Sequence, residues 1–308
     1  MAQAPEISFI ICTYNRADYL SDTLRSIFEF GIPEFRCEIL IIDNNSSDRT
    51  AEIVEEYKHS FDKNDELIRY ILEPKQGLSH ARNRGIKESE APYIVFLDDD
   101  IKVTKSLLPA WHSFFTNNPQ VVAAGGKIHV QFDDSRPRWM SYFLLPLLGY
   151  HDLGDSIKRY PATKYPFGGN MGFNKKIFDE VGYFDTELGR KGKSLKAGEE
   201  KDLFNRIRSR SYDLYYVPDS FLYHRVGAHR LSKEYIRNQA IGLGESMKMR
   251  LTNASTRQFF GNWIKEASKL LASIPLGIFY LLILTPSKAK MLFLFRWWIW
   301  RGYFKLSS

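Results

Sequence analysis

The chain has 308 residues, enough to bury a large core, and its 44% hydrophobic and 26% charged content excludes an intrinsically disordered polymer. Its two cysteines, Cys12 and Cys37, have no C-x-x-C spacing, which excludes a disulfide framework or structural zinc site and leaves two buried thiols in a reducing compartment. Net charge is +7, but no acid follows Glu266 while Lys269, Lys288, Lys290, Arg296, Arg301 and Lys305 do, so the excess is C-terminal and points to an anionic surface rather than a nucleic-acid-binding body.

The opening MAQAPEISFIICTYNR lacks the basic and long apolar regions of a secretory signal, so a cytosolic location is expected. Apolar runs then alternate with helical patterns. Strands are predicted at Ile7 to Cys12, Glu38 to Ile42, Ile68 to Leu72 and Tyr93 to Leu97, with helices at Asp18 to Phe30, Asp48 to Lys58 and Leu78 to Ser89. This alternation implies an α/β class, a Rossmann-like and mainly parallel sheet flanked by helices. Ligands of such sheets bind beyond the carboxyl ends of the strands. The four ends here are Thr13 to Arg16, Asp43 to Asn45, Glu73 to Gly77 and Asp98 to Asp100, all polar.

Further strands are expected at Val121 to Ile128, Gly168 to Phe173, Leu214 to Val217 and Phe221 to His224, and a helix at about Glu199 to Ser211 with a Leu203, Phe204, Ile207 stripe. The stretch RPRWMSYFLLPLLGY between two of these strands has no assignment. Residues 270 to 284 form an uncharged run containing Pro275, shorter than a spanning helix needs. It is followed by the aromatic and basic MLFLFRWWIWRGYFK. That combination suits monotopic attachment to a membrane surface from about residue 268.

The ordered series FIICTYNR, IIDNNSSDRT, GLSHARNRGI, VFLDDD, GGNMGF and GEEKDLFNRI resembles the family 2 glycosyltransferases over roughly residues 6 to 230. The resemblance implies a GT-A fold in a catalytic domain spanning residues 1 to 230, with residues 231 to 308 as a helical extension. It implies an inverting enzyme that moves a sugar from a nucleotide-diphosphate donor, UDP- or dTDP-linked, to a hydroxyl of a glycan or lipid-linked acceptor.

Residue by residue, the resemblance puts Asp43 at the base, with Thr13, Tyr14 and Arg16 bordering the pocket and Arg82 and Asn83 near base and phosphates. Asp98 and Asp100 match a D-x-D pattern whose carboxylates suit Mn²⁺ or Mg²⁺; Asp98 falls near the ribose, Asp100 on the metal, and Asp99 fits more than one register. His224 matches a position beside the metal. Glu200 maps to the general base, where the family commonly has Asp, and the longer side chain leaves Glu199 as a competing candidate. Gly168, Gly169 and Asn170 resemble the stretch lining the donor-sugar and acceptor region. Trp139 and Tyr142 are residue types suited to stacking on an acceptor. The competing readings are a sugar-phosphate nucleotidyltransferase, which would place a glycine-rich loop after the first strand where TYNR stands, and a non-catalytic binding module.

Overall fold

The computed structural model describes residues 4–30, 33–61, 67–189, 198–250 and 256–304. Four parallel strands form one half of the sheet: β1 (Ile7–Thr13), β2 (Cys37–Asp43), β3 (Ile68–Leu72) and β4 (Tyr93–Leu97), in the spatial order β3-β2-β1-β4. Their Ile- and Val-rich composition follows from burial on both faces. Side chains alternate across the sheet with period two, so each strand feeds two cores. Phe9, Ile11, Ile41 and Val95 pack with Leu20 and Leu24 of α1 (Ala17–Phe28) and Val54 of α2 (Thr50–Phe61). Ile10, Leu40, Ile42 and Phe96 pack on the other face with Ala81 and Ile86 of α3 (Leu78–Glu88) and with Leu203 and Phe204 of a later helix.

The second half of the sheet runs antiparallel. After β5 (Ile101–Val103) and α4 (Leu107–Asn117) come β6 (Ala123–Phe132), β7 (Lys158–Arg159), β8 (Asn170–Asn174), α5 (Ile177–Val181), α6 (Glu199–Ser209) and β9 (Leu214–Val226). Strand β8 pairs antiparallel with β4, setting Leu97 opposite Asn170, and β9 pairs antiparallel with β5, setting Ile101 opposite His224. Strand β9 is continuous through Pro218, where two short strands are expected from sequence; proline is tolerated where the chain stays extended.

Among the described residues, one compact unit comprises those up to Gln131, those from Gly149 to Gly189, and Gly198–Arg225. The second comprises Phe132–Leu148 and those from Val226 onward. In the second unit the unassigned aromatic stretch contains a 3-10 helix over Tyr142–Leu148, and after a short 3-10 turn at Ala228–Leu231 the described residues form the α-helices α7 (Lys233–Arg250), α8 (Thr256–Leu282) and α9 (Pro286–Phe304). Helix α8 continues through Pro275 and ends where Leu284 takes a left-handed φ of 55° and the Thr285 N–H donates to the Tyr280 carbonyl at 2.8 Å. Pro286 then opens α9, where its missing N–H is not needed. Among the described residues no helix is long and apolar enough to cross a membrane. Lys305, one of the expected basic residues, lies outside the described residues.

Helices α7 and α9 touch backbone to backbone. A Cβ on Gly302 would sit 2.1 Å from the Ile241 carbonyl oxygen, and one on Gly244 would sit 2.2 Å from that of Ile299. Neither obstacle is a side chain that can turn away, so the close approach requires glycine on both helices. Gly302→Ala is therefore expected to separate α7 from α9 and to destabilise the second unit by about 1–3 kcal/mol. Chemical denaturation of the purified variant measures this, and an unchanged midpoint would contradict the packing.

Candidate active site

Strands β1, β2 and β4 are adjacent and parallel, so the segments leaving their carboxyl ends meet on one edge of the sheet. Asn44 ties in the segment after β3: its amide donates to the carbonyls of Glu73 (3.1 Å) and Lys75 (2.7 Å) and accepts from the Gly77 N–H (2.7 Å). The four polar ends expected from sequence are thus one structure.

The three acids after β4 separate by environment. Asp99 is buried: Thr13 Oγ1 donates to its Oδ2 at 2.8 Å, Arg16 Nη1 donates to its Oδ1 at 2.6 Å, and Thr23 Oγ1 donates to its main-chain carbonyl. Burial raises its pKa to about 6; Arg16 opposes the rise and neighbouring Asp100 adds to it. Asp100 receives Arg16 Nη2 at 2.6 Å on Oδ2, while its Oδ1 lies 3.2 Å from His224 Nε2. The β5–β9 register brings that imidazole in from far along the chain. Ligand atoms of Asp98, Asp100 and His224 all lie within 4.8 Å of one another.

Three consecutive carboxylates gather a surplus of negative charge at a mostly buried edge, which Arg16 among the described residues offsets in part. Two carboxylates and an imidazole form a donor set suited to a divalent ion such as Mn²⁺ or Mg²⁺, and such an ion would neutralise that surplus. The residues present therefore fit a metal held by Asp98, Asp100 and His224.

A second charged cluster lies across two glycines. Arg82, on α3 and 3% exposed, donates through Nη1 to Glu199 Oε1 (3.1 Å) and through Nη2 to Glu200 Oε1 (3.0 Å). Its guanidinium also faces the rings of Phe184 (5.3 Å) and Phe96 (6.0 Å). Glu199 spends its other oxygen on the Gly198 N–H at 2.9 Å and its side chain is 4% exposed; that of Glu200 is 26% exposed. One guanidinium cannot balance two carboxylates in a poorly solvated site. Burial, reinforced by Glu199, raises the Glu200 pKa to about 7 against the pull of Arg82. A carboxylate poised there exchanges protons near neutral pH.

Gly168 and Gly169 let main chain pass between the two clusters. A Cβ on Gly168 would fall 1.8 Å from Glu200 Oε1 and 2.3 Å from Arg82 Nη2, and one on Gly169 would fall 2.3 Å from Asp98 Oδ2. The D-x-D acids and the Glu-Glu pair, about a hundred residues apart in the chain, thereby flank the same two residues.

Other expected site residues differ in how much of their chemistry is left open. Asp43 is buried, with Oδ1 accepting from the Ser46 N–H (2.8 Å) and Oδ2 from the Tyr70 hydroxyl (2.6 Å); each oxygen has capacity for one more donor. Tyr14 is exposed and follows Thr13, the β1 residue paired with Asp43. The Asn83 amide is spent on the main chain of Phe184, as donor to its carbonyl (2.8 Å) and acceptor from its N–H (2.9 Å). Asn170 is fully buried, accepting from Trp111 Nε1 (2.9 Å) and donating to the carbonyls of Lys127 and Ser220, so its side chain braces the sheet. Trp139 is half-buried in the second unit, and Tyr142 there lies under the Arg136 guanidinium at 4.3 Å. Burial pushes the thiols of Cys12 and Cys37 up to about 12, which keeps both un-ionised.

Two contributors were not evident from sequence as what they are. Arg16 is a clamp across Asp99 and Asp100, and Tyr70 is the hydrogen-bond donor that orients Asp43. The only sequence signal for the second is the position of Tyr70 on the strand beside β2.

A family model described as Glycosyl transferase family 2 matches residues 8–182. Poly-beta-1,6-N-acetyl-D-glucosamine synthase of Staphylococcus epidermidis is 31% identical over 192 residues, which is 60% of this chain and 43% of that protein. Glucosyl-dolichyl phosphate glucuronosyltransferase of Haloferax volcanii is 21% identical over 247 residues, covering 79% of this chain and 77% of that one. The chain thus spans less than half the length of the first of these relatives. Among solved structures, the mannosyltransferase PcManGT from Pyrobaculum calidifontis, in complex with GDP-Man and Mn²⁺, aligns with a TM-score of 0.61 at 18% identity, over 96% of this chain and 86% of that one. GalNAc-T7 with UDP, GalNAc and Mn²⁺ aligns with a TM-score of 0.56 at 16% identity, over 81% and 51%. At such identities the likeness is one of fold, and the fold is GT-A.

Gly169→Ala is expected to force the Asp98 carboxylate to turn while leaving the sheet folded, and so to weaken Mn²⁺ binding about tenfold or more. Calorimetric titration with Mn²⁺ measures this; wild-type affinity in the variant would separate Asp98 from the metal.

Proposed function

Because the chain belongs to glycosyl transferase family 2 and is a glycosyltransferase, we propose that it moves a sugar from a nucleoside-diphosphate donor to a hydroxyl acceptor by metal-assisted single displacement with inversion. The observation that carries this reading is the paired arrangement around Gly168 and Gly169: a divalent-metal donor set on one side and a carboxylate with a raised pKa on the other. Asp98, Asp100 and His224 would hold the metal. When bound, Mn²⁺ or Mg²⁺ neutralises the charge that builds on the departing diphosphate.

The chain's own residues supply the rest. Asp43 offers a carboxylate to the N–H edge of the base, UDP- or dTDP-linked donors being favoured, with Tyr14 and Thr13 beside it. Asp99 fixes the Thr13 and Arg16 side of the pocket, and Arg16 places a guanidinium where diphosphate oxygens arrive. Asn83 acts through the main chain it braces, and Asp98 serves the ribose side as well as the metal. Glu200 takes the proton from the acceptor hydroxyl as that oxygen bonds to the anomeric carbon and the carbon–diphosphate bond breaks. Two features support Glu200 over Glu199: the second oxygen of Glu199 is taken up by the Gly198 N–H whereas that of Glu200 is not bound to Arg82 or to that main chain, and the Glu200 side chain is the more exposed. Arg82 holds both acids in place. Gly168 and Gly169 give the donor sugar and acceptor close access to main chain.

The acceptor is proposed to be a glycan or lipid-linked saccharide, in keeping with the relatives' names, and the place of work the cytosolic face of a membrane met by the C-terminal helices. The catalytic part is assigned to residues 1 to 230.

Three measurements test this reading. With a panel of nucleotide sugars, release of nucleoside diphosphate is expected to require Mn²⁺ or Mg²⁺; pyrophosphate formed from a nucleoside triphosphate and a sugar phosphate would instead support a nucleotidyltransferase. Glu200→Gln is expected to keep donor binding and lose transfer by about 10²–10⁴-fold, and unchanged transfer would remove Glu200 from the role. The base works ionised, so kcat should climb as pH rises through about 7 in the wild type, and this inflection should vanish in Glu200→Gln.

A further inference from the structure

The C-terminal helices leave two long faces uncovered, and these differ in chemistry. On α8, Ile264, Leu271, Ile274, Ile278, Leu281 and Leu282 are all exposed and fall within one stripe of the helix, opposite the buried Ser273, Gly277 and Tyr280 that turn inward. On α9 the exposed stripe is Lys290, Phe293, Trp297, Arg301 and Phe304, at spacings of three, four, four and three, opposite Leu292, Phe295 and Ile299. The first stripe is therefore mainly aliphatic, with Trp263 at its start, and the second combines aromatic and cationic groups. The turn joining them is apolar as well. Leu282 is 76% and Leu284 88% exposed, and Leu284 holds the left-handed conformation that glycine or asparagine ordinarily fills.

Several occupants could cover an apolar face, and charge distinguishes them. No acidic residue follows Glu266, and Lys269 already pairs with that one. Arg296 is turned inward, its Nε donating to Ser273 Oγ at 3.1 Å and its guanidinium lying 4.8 Å from the Phe143 ring, so it serves the fold. Lys290 and Arg301 remain on the outward stripe. A two-fold dimer through this face would set lysine and arginine against their own copies with no carboxylate to answer them. A bilayer with anionic headgroups answers both properties at once: phosphates for Lys290 and Arg301, the interfacial zone for Trp297 and Phe293, and acyl chains for the aliphatic stripe of α8. The α9 stripe, from Lys290 to Phe304, is about 21 Å long at 1.5 Å per residue, and the α8 stripe, from Ile264 to Leu282, about 27 Å, which suits a hairpin lying along the surface rather than across it.

We propose that α8 and α9 form an interfacial hairpin that lies in the headgroup layer of an anionic bilayer, with Ile278, Leu282 and Leu284 reaching the acyl chains and Lys290 and Arg301 engaging lipid phosphates. This rests on the reading that the C-terminal helices meet a membrane, and it assigns the residues and lipid chemistry of that contact. It does not depend on the transfer chemistry.

Flotation of the full chain with phosphatidylcholine vesicles, with or without phosphatidylglycerol, is the test. The wild type is expected to float with the anionic vesicles, less in high salt and far less with phosphatidylcholine alone. The pair Ile278→Ser and Leu282→Ser, and separately the pair Lys290→Glu and Arg301→Glu, should each lower binding at least tenfold with an unchanged Tm, since all four side chains are exposed. Bromine-labelled acyl chains should quench the wild-type tryptophan emission, and Trp297→Phe should lose part of that quenching. A wild type that stays unbound to every vesicle overturns the membrane reading and the hairpin with it. A wild type that floats while both paired variants float equally well leaves the membrane reading standing and overturns the hairpin. Dimerisation abolished by Ile278→Ser and Leu282→Ser, with no flotation, would make the face a contact between copies.

Discussion

Crowding of like charge at one edge of the sheet is the constraint from which the site follows. Three consecutive acids leave β4, and two of them are almost wholly buried. Ionised carboxylates out of water persist only with compensating donors or cations. Arg16 compensates part of this by spanning Asp99 and Asp100, and Thr13 and Thr23 supply neutral donors. The ligand atoms of Asp98, Asp100 and His224, all within 4.8 Å of one another, form a donor set that fits a dication at this edge. The same logic recurs at Arg82, where two glutamates share one guanidinium and the less enclosed of the two holds its proton until about neutral pH.

Both clusters depend on the sheet for their positions. The parallel half puts the ends of β1, β2 and β4 side by side, and the antiparallel half returns β8 and β9 so that the two glycines and His224 arrive at the same edge. Gly168 and Gly169 precede β8, and a methyl group there would meet the carboxylate of Glu200 or of Asp98, respectively. The site is therefore narrow because main chain runs through it. Asn44, Asn83 and Asn170 maintain this arrangement by bonding to the main chain of distant segments, which holds irregular loops without regular secondary structure.

In the second unit the limiting interaction is the contact of α7 with α9 at Gly244 and Gly302. It fixes which face of α9 is inward, and with it which residues are left outside. Arg296 stands apart from the outward stripe of Lys290 and Arg301 because it is turned inward, where it donates to Ser273 and lies over the Phe143 ring.

Much was legible in the residues themselves. Strands β3 and β4 have the bounds their apolar runs indicate, and β1, β2, α1, α2 and α3 differ only at their ends, because period and turn chemistry are local properties of a chain. The acids of VFLDDD and GEEKD likewise announce themselves as charge placed where a strand ends or a helix begins. Their division of labour was not legible. Whether Asp99 faces a ligand or the core, whether Glu199 or Glu200 keeps an oxygen open, and whether Asn83 and Asn170 face a substrate or brace main chain turn on partners 43 to 118 residues away in sequence. The continuity of β9 through Pro218, the inward turn of Arg296 and the contact of His224 with Asp100 belong to the same class. The sequence alone determined which chemical groups gather at each strand end, since composition and periodicity are written along the chain. Tertiary structure decided which of them remain available, because that depends on which donor or counter-charge packing delivers to each one.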